Sequence, residues 1–127
     1  MKLLLDTHAF LWLSVNSDKL GRKAREKLSQ SGTQVYLSAA SVWEIAIKSE
    51  LGKLKLDDPV QVYLELGARA GILPLPVEFS HAVRVEGLPP HHRDPFDRML
   101  VAQALTEGMT LVSGDRAMKP YKVPLLW

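Results

Sequence analysis

Five short apolar runs constrain the fold of this chain more than any other feature of its sequence. Each run is nearly continuous in Leu, Ile and Val, and polar residues do not alternate within it. Strands that are buried on both faces of a parallel sheet have this pattern, whereas a strand with one solvent-exposed face alternates apolar and polar residues. The predicted strands are 3–5, 35–37, 72–75, 111–112 and 123–126.

Stretches with helical patterning separate these runs. The predicted helices are 8–15, 18–30, 39–51, 60–70, 78–85 and 95–107. Glycine follows four of them closely, as expected of residues that end helices. Alternating strands and helices predict an α/β fold with a central, mostly parallel sheet of about four to five strands, covered by helices.

Composition narrows the classes of protein further. A chain of 127 residues fits one domain, and the absence of cysteine excludes disulfide frameworks and thiolate metal sites. The net charge of +2 is compatible with a polyanionic partner but is too low for a protein that coats DNA nonspecifically. The first apolar run stops at Asp6, which is too early for a signal peptide or a membrane span, so we expect a cytoplasmic protein.

Acidic residues follow three of the predicted strands. Asp6 comes directly after the first strand, Asp115 comes shortly after the fourth, and Glu44 lies in the helix that follows the second. Parallel α/β sheets bind ligands beyond the carboxyl ends of their strands, near the point where the strand order reverses. We therefore expect these carboxylates to converge at one edge of the sheet.

Two of these acids also have a structural interpretation. Asp6 is suited to capping the first helix, although Thr7 can cap it instead and leave Asp6 free. Asp115 is suited to an Asx turn or a cap. Taken alone, neither residue decides between a structural and a functional role.

The predicted helix 39–51 is apolar almost all round, with one polar stripe formed by Ser41, Glu44 and Lys48. The structural interpretation is a capping box from Ser41 to Glu44 and an ion pair from Glu44 to Lys48. A functional Glu44 is the alternative, and a buried helix favours it. We expect Trp43 of this helix, like Trp12, to lie in the core.

The segment Asp94-Pro95-Phe96-Asp97 predicts a helix start, with Asp94 as the N-cap and Pro95 in the first turn. Capping explains Asp94 well. Asp97 is favourable near the positive end of a helix, yet Arg98 beside it offers a charge suited to phosphate. Asp97 is therefore a candidate for a mixed role.

Carboxylates gathered in one cleft repel one another, and a bound cation removes the conflict. Without cysteine, the available ligands are oxygen and imidazole, and Mg²⁺ or Mn²⁺ prefers oxygen. The chemistry that such a site supports is metal-assisted hydrolysis of a phosphodiester bond.

Four segments of the chain resemble the PIN-domain ribonucleases, and among them the VapC-type toxins of prokaryotic toxin–antitoxin pairs. The segments are LLLDTH at 3–8, LSAASVWEIAIK at 37–48, RDPFDRMLVAQA at 93–104 and SGD at 113–115. The resemblance covers nearly the whole chain. It implies a single PIN-like domain, 1–127, folded as a three-layer α/β/α sandwich.

The resemblance also implies an activity and a site. The protein is then a metal-dependent endoribonuclease that uses Mg²⁺ or Mn²⁺ and inhibits translation. It would form a homodimer and be inhibited by a cognate antitoxin. The catalytic and metal-binding acids are then Asp6, Glu44, Asp97 and Asp115. Asp94 stays open as a ligand, as an acid that orients a ligand, or as a cap only.

Basic residues next to these acids are candidates for contacts to RNA phosphates. They are Lys48, Arg98 and Arg116, with the loop 91–93 as a weaker candidate. Ordinary surface charge is the alternative interpretation of each. His8, by contrast, is expected to be packed or hydrogen-bonded rather than to bind a metal.

Two other classes of function compete with the nuclease. A phosphoacceptor receiver domain has a similar sheet, but it places an Asp after the third strand, and the segment 72–76 contains none. A PIN scaffold that binds RNA or protein without catalysis is the second alternative. The complete set of acids disfavours it.

Overall fold

The computed structural model describes residues 1–127, and its centre is a five-stranded parallel sheet with the order β3-β2-β1-β4-β5. The strands are β1 Lys2–Leu5, β2 Gln34–Ser38, β3 Leu73–Leu75, β4 Thr110–Val112 and β5 Leu125–Leu126. The helices are α1 Thr7–Ser14, α2 Arg22–Leu28, α3 Ala39–Glu50, α4 Val60–Arg69, α5 Phe79–Glu86 and α6 Pro95–Glu107. The predicted α/β fold is confirmed. A 3₁₀ helix, Arg116–Tyr121, was not predicted, because six residues with an internal proline carry no helical periodicity.

Helices cover both faces of the sheet, and β1 shows why its apolar run is continuous. Leu3 and Leu5 belong to one core with Phe10 of α1. Leu4 points to the other core, which contains Leu100 of α6. The three leucines of β1 are fully buried, so a polar residue at any of them would lose its water.

The strand order reverses at β1, which lies between β2 and β4. Leu5 pairs with Leu37 of β2 and with Val112 of β4, so the three strands end at the same level. The Asp6 N–H donates a hydrogen bond to the Val112 carbonyl, 3.0 Å away. Asp6, the start of α3 and the segment after β4 therefore meet at the carboxyl edge of the sheet, as predicted.

The helix α3 corrects two predictions. Its buried face consists of Ala40, Ser41, Glu44 and Ile45, so the polar stripe points inwards. Trp43 is 64% exposed, and its prediction as a core residue is wrong. The capping box from Ser41 to Glu44 does not form, because Ser38 is the N-cap of α3 and Ser41 lies inside the helix.

No helix in the structure combines the length and the apolar character needed to cross a membrane.

Candidate active site

Asp6 ends β1 and caps α1. Its Oδ1 accepts a hydrogen bond from the Ala9 N–H at 2.7 Å, so the prediction that Thr7 takes over the capping is wrong. Capping engages one of two carboxylate oxygens, and Asp6 is thus both a cap and a candidate ligand. Burial raises the pKa of Asp6 despite hydrogen bonds from Ser113 and Ala9 that lower it.

Glu44 is held from two sides within the buried face of α3. Thr7 Oγ1 donates to Glu44 Oε1 at 2.5 Å, and Lys48 Nζ forms an ion pair with Glu44 Oε2. The hydrogen bond that Lys48 donates to Glu44 raises the pKa of Lys48. The predicted ion pair is present, and it orients Lys48 along α3 beside the acid.

Asp97 and Asp115 approach each other through a histidine. His92 Nε2 lies 3.1 Å from Asp97 Oδ2 and 3.0 Å from Asp115 Oδ2. These three side chains form a group that is close enough to hold a metal ion. Sequence analysis treated His92 only as part of a phosphate-binding loop, because its partner Asp115 lies 23 residues away in the chain.

The hydrogen bonds of His92 define its tautomer. Nδ1 accepts from the Asp94 N–H at 3.1 Å, so the proton of a neutral ring lies on Nε2 and is donated to the carboxylates. A histidine that binds metal through Nε2 donates its other ring N–H, and here a backbone donor already points at that nitrogen. His92 is therefore suited to hold Asp97 and Asp115 in place rather than to bind the metal.

The electrostatics of the acids show how closely they are gathered. Burial raises the pKa of Asp97 to about 7, and the charges of Asp94, Glu44 and Asp6 add to the increase. Burial acts in the same direction on Asp115, but hydrogen bonds from the Ala117 N–H and from His92 prevail and lower its pKa. Burial thus disfavours the charged forms of Asp6 and Asp97, and a divalent cation, which prefers oxygen ligands, would offset that cost.

Asp94 is the N-cap of α6, as predicted. Its Oδ1 accepts hydrogen bonds from the N–H groups of Phe96 at 2.8 Å and Asp97 at 3.1 Å. The other oxygen makes no hydrogen bond within the chain. The cap thus positions the first turn of α6, from which Asp97 projects.

Arg98 has a structural role instead of the predicted contact to phosphate. Its Nη1 donates to the Pro89 carbonyl at 2.8 Å and to Tyr121 Oη at 3.0 Å. Its Nη2 donates to the carbonyls of Val85 and Leu88. The guanidinium holds the loop between α5 and α6, whereas Arg116, the third candidate, is exposed beside Asp115.

A second unusual region surrounds Trp43, whose ring packs edge-on against Phe96. One apolar groove of about 700 Å³ lies between Trp43, α4 and the β3 edge, and it is lined by Leu64 and Leu73. A second groove of about 560 Å³ lies on the other side of Trp43 and is lined by Val85. We call Trp43 and these two grooves the Trp43 surface. It escaped sequence analysis because an apolar residue on a helix is normally counted as core.

Comparisons with known proteins identify the family of this chain. The family model of the PIN domain matches residues 3–123. Ribonuclease VapC22 of Mycobacterium tuberculosis is 29% identical over 127 aligned residues, which cover 96% of this chain and 93% of the relative.

Two solved structures share the fold. VapBC2 from Rickettsia felis, bound to a promoter DNA fragment, has a TM-score of 0.74 at 15% identity and covers 99% of this chain and 98% of its own. A toxin–antitoxin complex from Klebsiella pneumoniae has a TM-score of 0.61 at 14% identity, with coverages of 91% and 89%. The receiver-domain alternative is excluded, and the predicted resemblance is confirmed: the chain belongs to the PIN-domain family and is similar to its VapC-type members.

Proposed function

We propose that this chain is a divalent-metal-dependent endoribonuclease, formed by a single PIN-like domain, and the toxin of a toxin–antitoxin pair that inhibits translation. The observation that carries the proposal is the convergence of Asp6, Glu44, Asp97 and Asp115 where the strand order of the sheet reverses. The name of the ribonuclease relative supports RNA as the substrate.

The acids divide into two pairs by their surroundings. Asp6 and Asp97, whose pKa values are raised, are the proposed primary ligands of Mg²⁺ or Mn²⁺, and Glu44 and Asp115 complete the site directly or through water. A bound divalent ion supplies the means to activate a water molecule and to offset the negative charge that develops on a phosphate.

The neighbours of the acids keep this geometry. Thr7 fixes one oxygen of Glu44, and Lys48 neutralises the other. His92 holds Asp97 and Asp115 towards each other by a shared N–H donor. Of Lys48, Arg98 and Arg116, it is the exposed Arg116 that remains free to contact an RNA phosphate.

The proposed protein partner is an antitoxin, and we assign it to the Trp43 surface. An exposed tryptophan between two apolar grooves is typical of a surface that binds another protein. Among the structural neighbours are complexes with an antitoxin, and one of them is named as such. Homodimerisation stays a prediction for which we assign no surface.

Cleavage of single-stranded RNA in the presence of Mg²⁺ or Mn²⁺ tests the proposal. We expect Asp6→Asn and Asp97→Asn to reduce cleavage by at least about a hundredfold and EDTA to abolish it. Asp58→Asn removes an exposed acid between α3 and α4 and serves as the matched control. Full activity of both site variants, or of the wild type in EDTA, would falsify the assignment.

The toxin role has a separate test in cells. Expression of the wild-type chain should arrest growth and incorporation of labelled amino acids, and Asp97→Asn should relieve both effects. Arrest of equal strength by the inactive variant would disprove a toxin that acts through RNA cleavage.

A further inference from the structure

A pocket of about 390 Å³ opens directly beside the acids. Asp6 and Asp115 line it, and the other side chains around it are those of His8, Trp12, Trp127 and Lys19. The volume is within the range of pockets that hold small organic groups. A group bound here would lie next to the proposed site of phosphate cleavage.

Two of the aromatic rings come from α1, the helix that Asp6 caps. His8 and Trp12 are four residues apart and therefore share one face of the helix. Their ring centroids are 5.4 Å apart, and Trp127 adds a third ring 5.7 Å from Trp12. His8 is exposed and both tryptophans are half-buried, so the group retains accessible aromatic surface.

Two glycines provide the space that Trp127 occupies, because they have no side chain. A Cβ atom at Gly114 would come within 2.7 Å of the indole, and a Cβ atom at Gly21 would come within 2.4 Å of the Trp127 backbone. Real Cβ atoms do not approach other heavy atoms so closely, and any larger residue would displace the tryptophan. Gly114 immediately precedes Asp115, so the same short segment supplies an acid and the seat of the ring.

We propose that this aromatic pocket binds an unpaired nucleobase of the RNA substrate, next to the phosphate that is cleaved. The faces of His8, Trp12 and Trp127 offer stacking, which any base accepts but which a base inside a duplex cannot use. Exposed Lys19 at the pocket offers a contact to a neighbouring phosphate. This inference rests on the proposed ribonuclease function and adds to it a base-binding subsite beside Asp6 and Asp115.

Binding without cleavage tests the pocket by itself. The probe is a short single-stranded RNA of mixed sequence, and the comparison is the duplex with its complement, both titrated in EDTA into the full chain carrying Asp97→Asn. We expect His8→Ala and Trp12→Leu to weaken binding of the single strand by about tenfold, because each removes a stacking face. Trp12→Phe should retain most of the affinity, and binding of the duplex should not change.

The control for loss of an aromatic side chain is Phe79→Leu, since Phe79 is 91% exposed on α5 and lies outside the pocket. Circular dichroism melting verifies that each variant folds. If Trp12→Leu does not fold, His8→Ala and Trp12→Phe still test whether the pocket binds a base. The proposed base-binding role of the pocket is wrong if His8→Ala binds the single strand with unchanged affinity. It is also wrong if the variants lose equal affinity for the single strand and for the duplex.

Failure of the pocket is distinguishable from failure of the nuclease. If the wild type cleaves RNA with metal while the pocket variants bind the single strand normally, the pocket is wrong and the proposed function stands. If the pocket variants lose single-strand binding while the wild type cleaves no RNA, the pocket is supported as an RNA site and the nuclease is refuted.

Discussion

The acid cluster, formed by Asp6, Glu44, Asp97 and Asp115, and the Trp43 surface lie at different faces of α3. Glu44 of α3 is 3% exposed and faces the other acids, whereas its neighbour Trp43 is 64% exposed and faces out. In an ordinary helix the apolar residue is inside and the charge is outside. The comparison teaches that α3 departs from this pattern twice, and that the two departures create sites for different kinds of partner.

The acids of the cluster outnumber Lys48, the one cation paired with them, and the Trp43 surface lacks an apolar cover. Burial disfavours ionisation of Asp6 and Asp97, so the first deficit is electrostatic and responds to cations and pH. The second deficit is hydrophobic and responds to a protein that covers it. Changes that separate these responses can break or sharpen the comparison.

The largest expected effect is stabilisation of the acid cluster by metal. A ligand at about a hundred times its dissociation constant adds about 2.7 kcal/mol to the free energy of unfolding. We expect saturating Mn²⁺ to raise the Tm of the wild type by several degrees and to leave Asp97→Asn nearly unchanged. Calorimetry of wild type, Asp97→Asn and the control Asp58→Asn measures this shift. A Tm of Asp97→Asn that rises as much as that of the wild type would show that the metal binds elsewhere.

The next effect concerns the Trp43 surface. Truncation of a central tryptophan in a protein interface costs about 2 kcal/mol or more, which is about a thirtyfold loss of affinity. We expect Trp43→Ala to weaken binding of the proposed cognate antitoxin by that factor in isothermal titration calorimetry. Leu51→Ala, at an equally exposed apolar residue near the end of α3, is the matched control.

Two results would contradict this assignment. Unchanged antitoxin affinity of Trp43→Ala would place the antitoxin on another surface. Light scattering could also show that the free wild type is a dimer and that Trp43→Ala is a monomer. The Trp43 surface would then bind a second copy of the chain.

The smallest effect is the pH dependence of stability without metal. Burial, with the nearby charge of Asp94, raises the pKa of Asp97 from 3.8 in the unfolded chain to about 7 in the folded one. The folded state then binds more protons, so Asp97 lowers the free energy of unfolding as pH rises from about 4 to about 7. Allowing for solvent screening, Asp97→Asn should gain about 1–2 kcal/mol over the wild type across this window.

Urea unfolding in EDTA at several pH values checks this prediction. The gain should disappear only well below pH 3.8, where the folded and the unfolded wild type both keep the proton on Asp97. A constant difference between variant and wild type at all pH values would mean that Asp97 ionises as an exposed acid does.

Local patterns explain which structural features were predictable. The continuous Leu run of β1 predicts a strand buried on both sides, and the Asp94-Pro95 pair predicts the start of α6. The ion pair of Glu44 and Lys48 also follows from sequence, because residues four apart in a helix are neighbours. In each case, the interacting groups are close together in the chain.

The sequence by itself therefore determined the α/β fold and the order in which acids follow the strands. Only the tertiary structure decided how those acids are held, because their partners come from distant segments. Thr7 and Glu44 are 37 residues apart, and His92 and Asp115 are 23 apart. The exposure of Trp43 was decided in the same way: periodicity locates the faces of a helix, but only packing against other elements decides which face is covered.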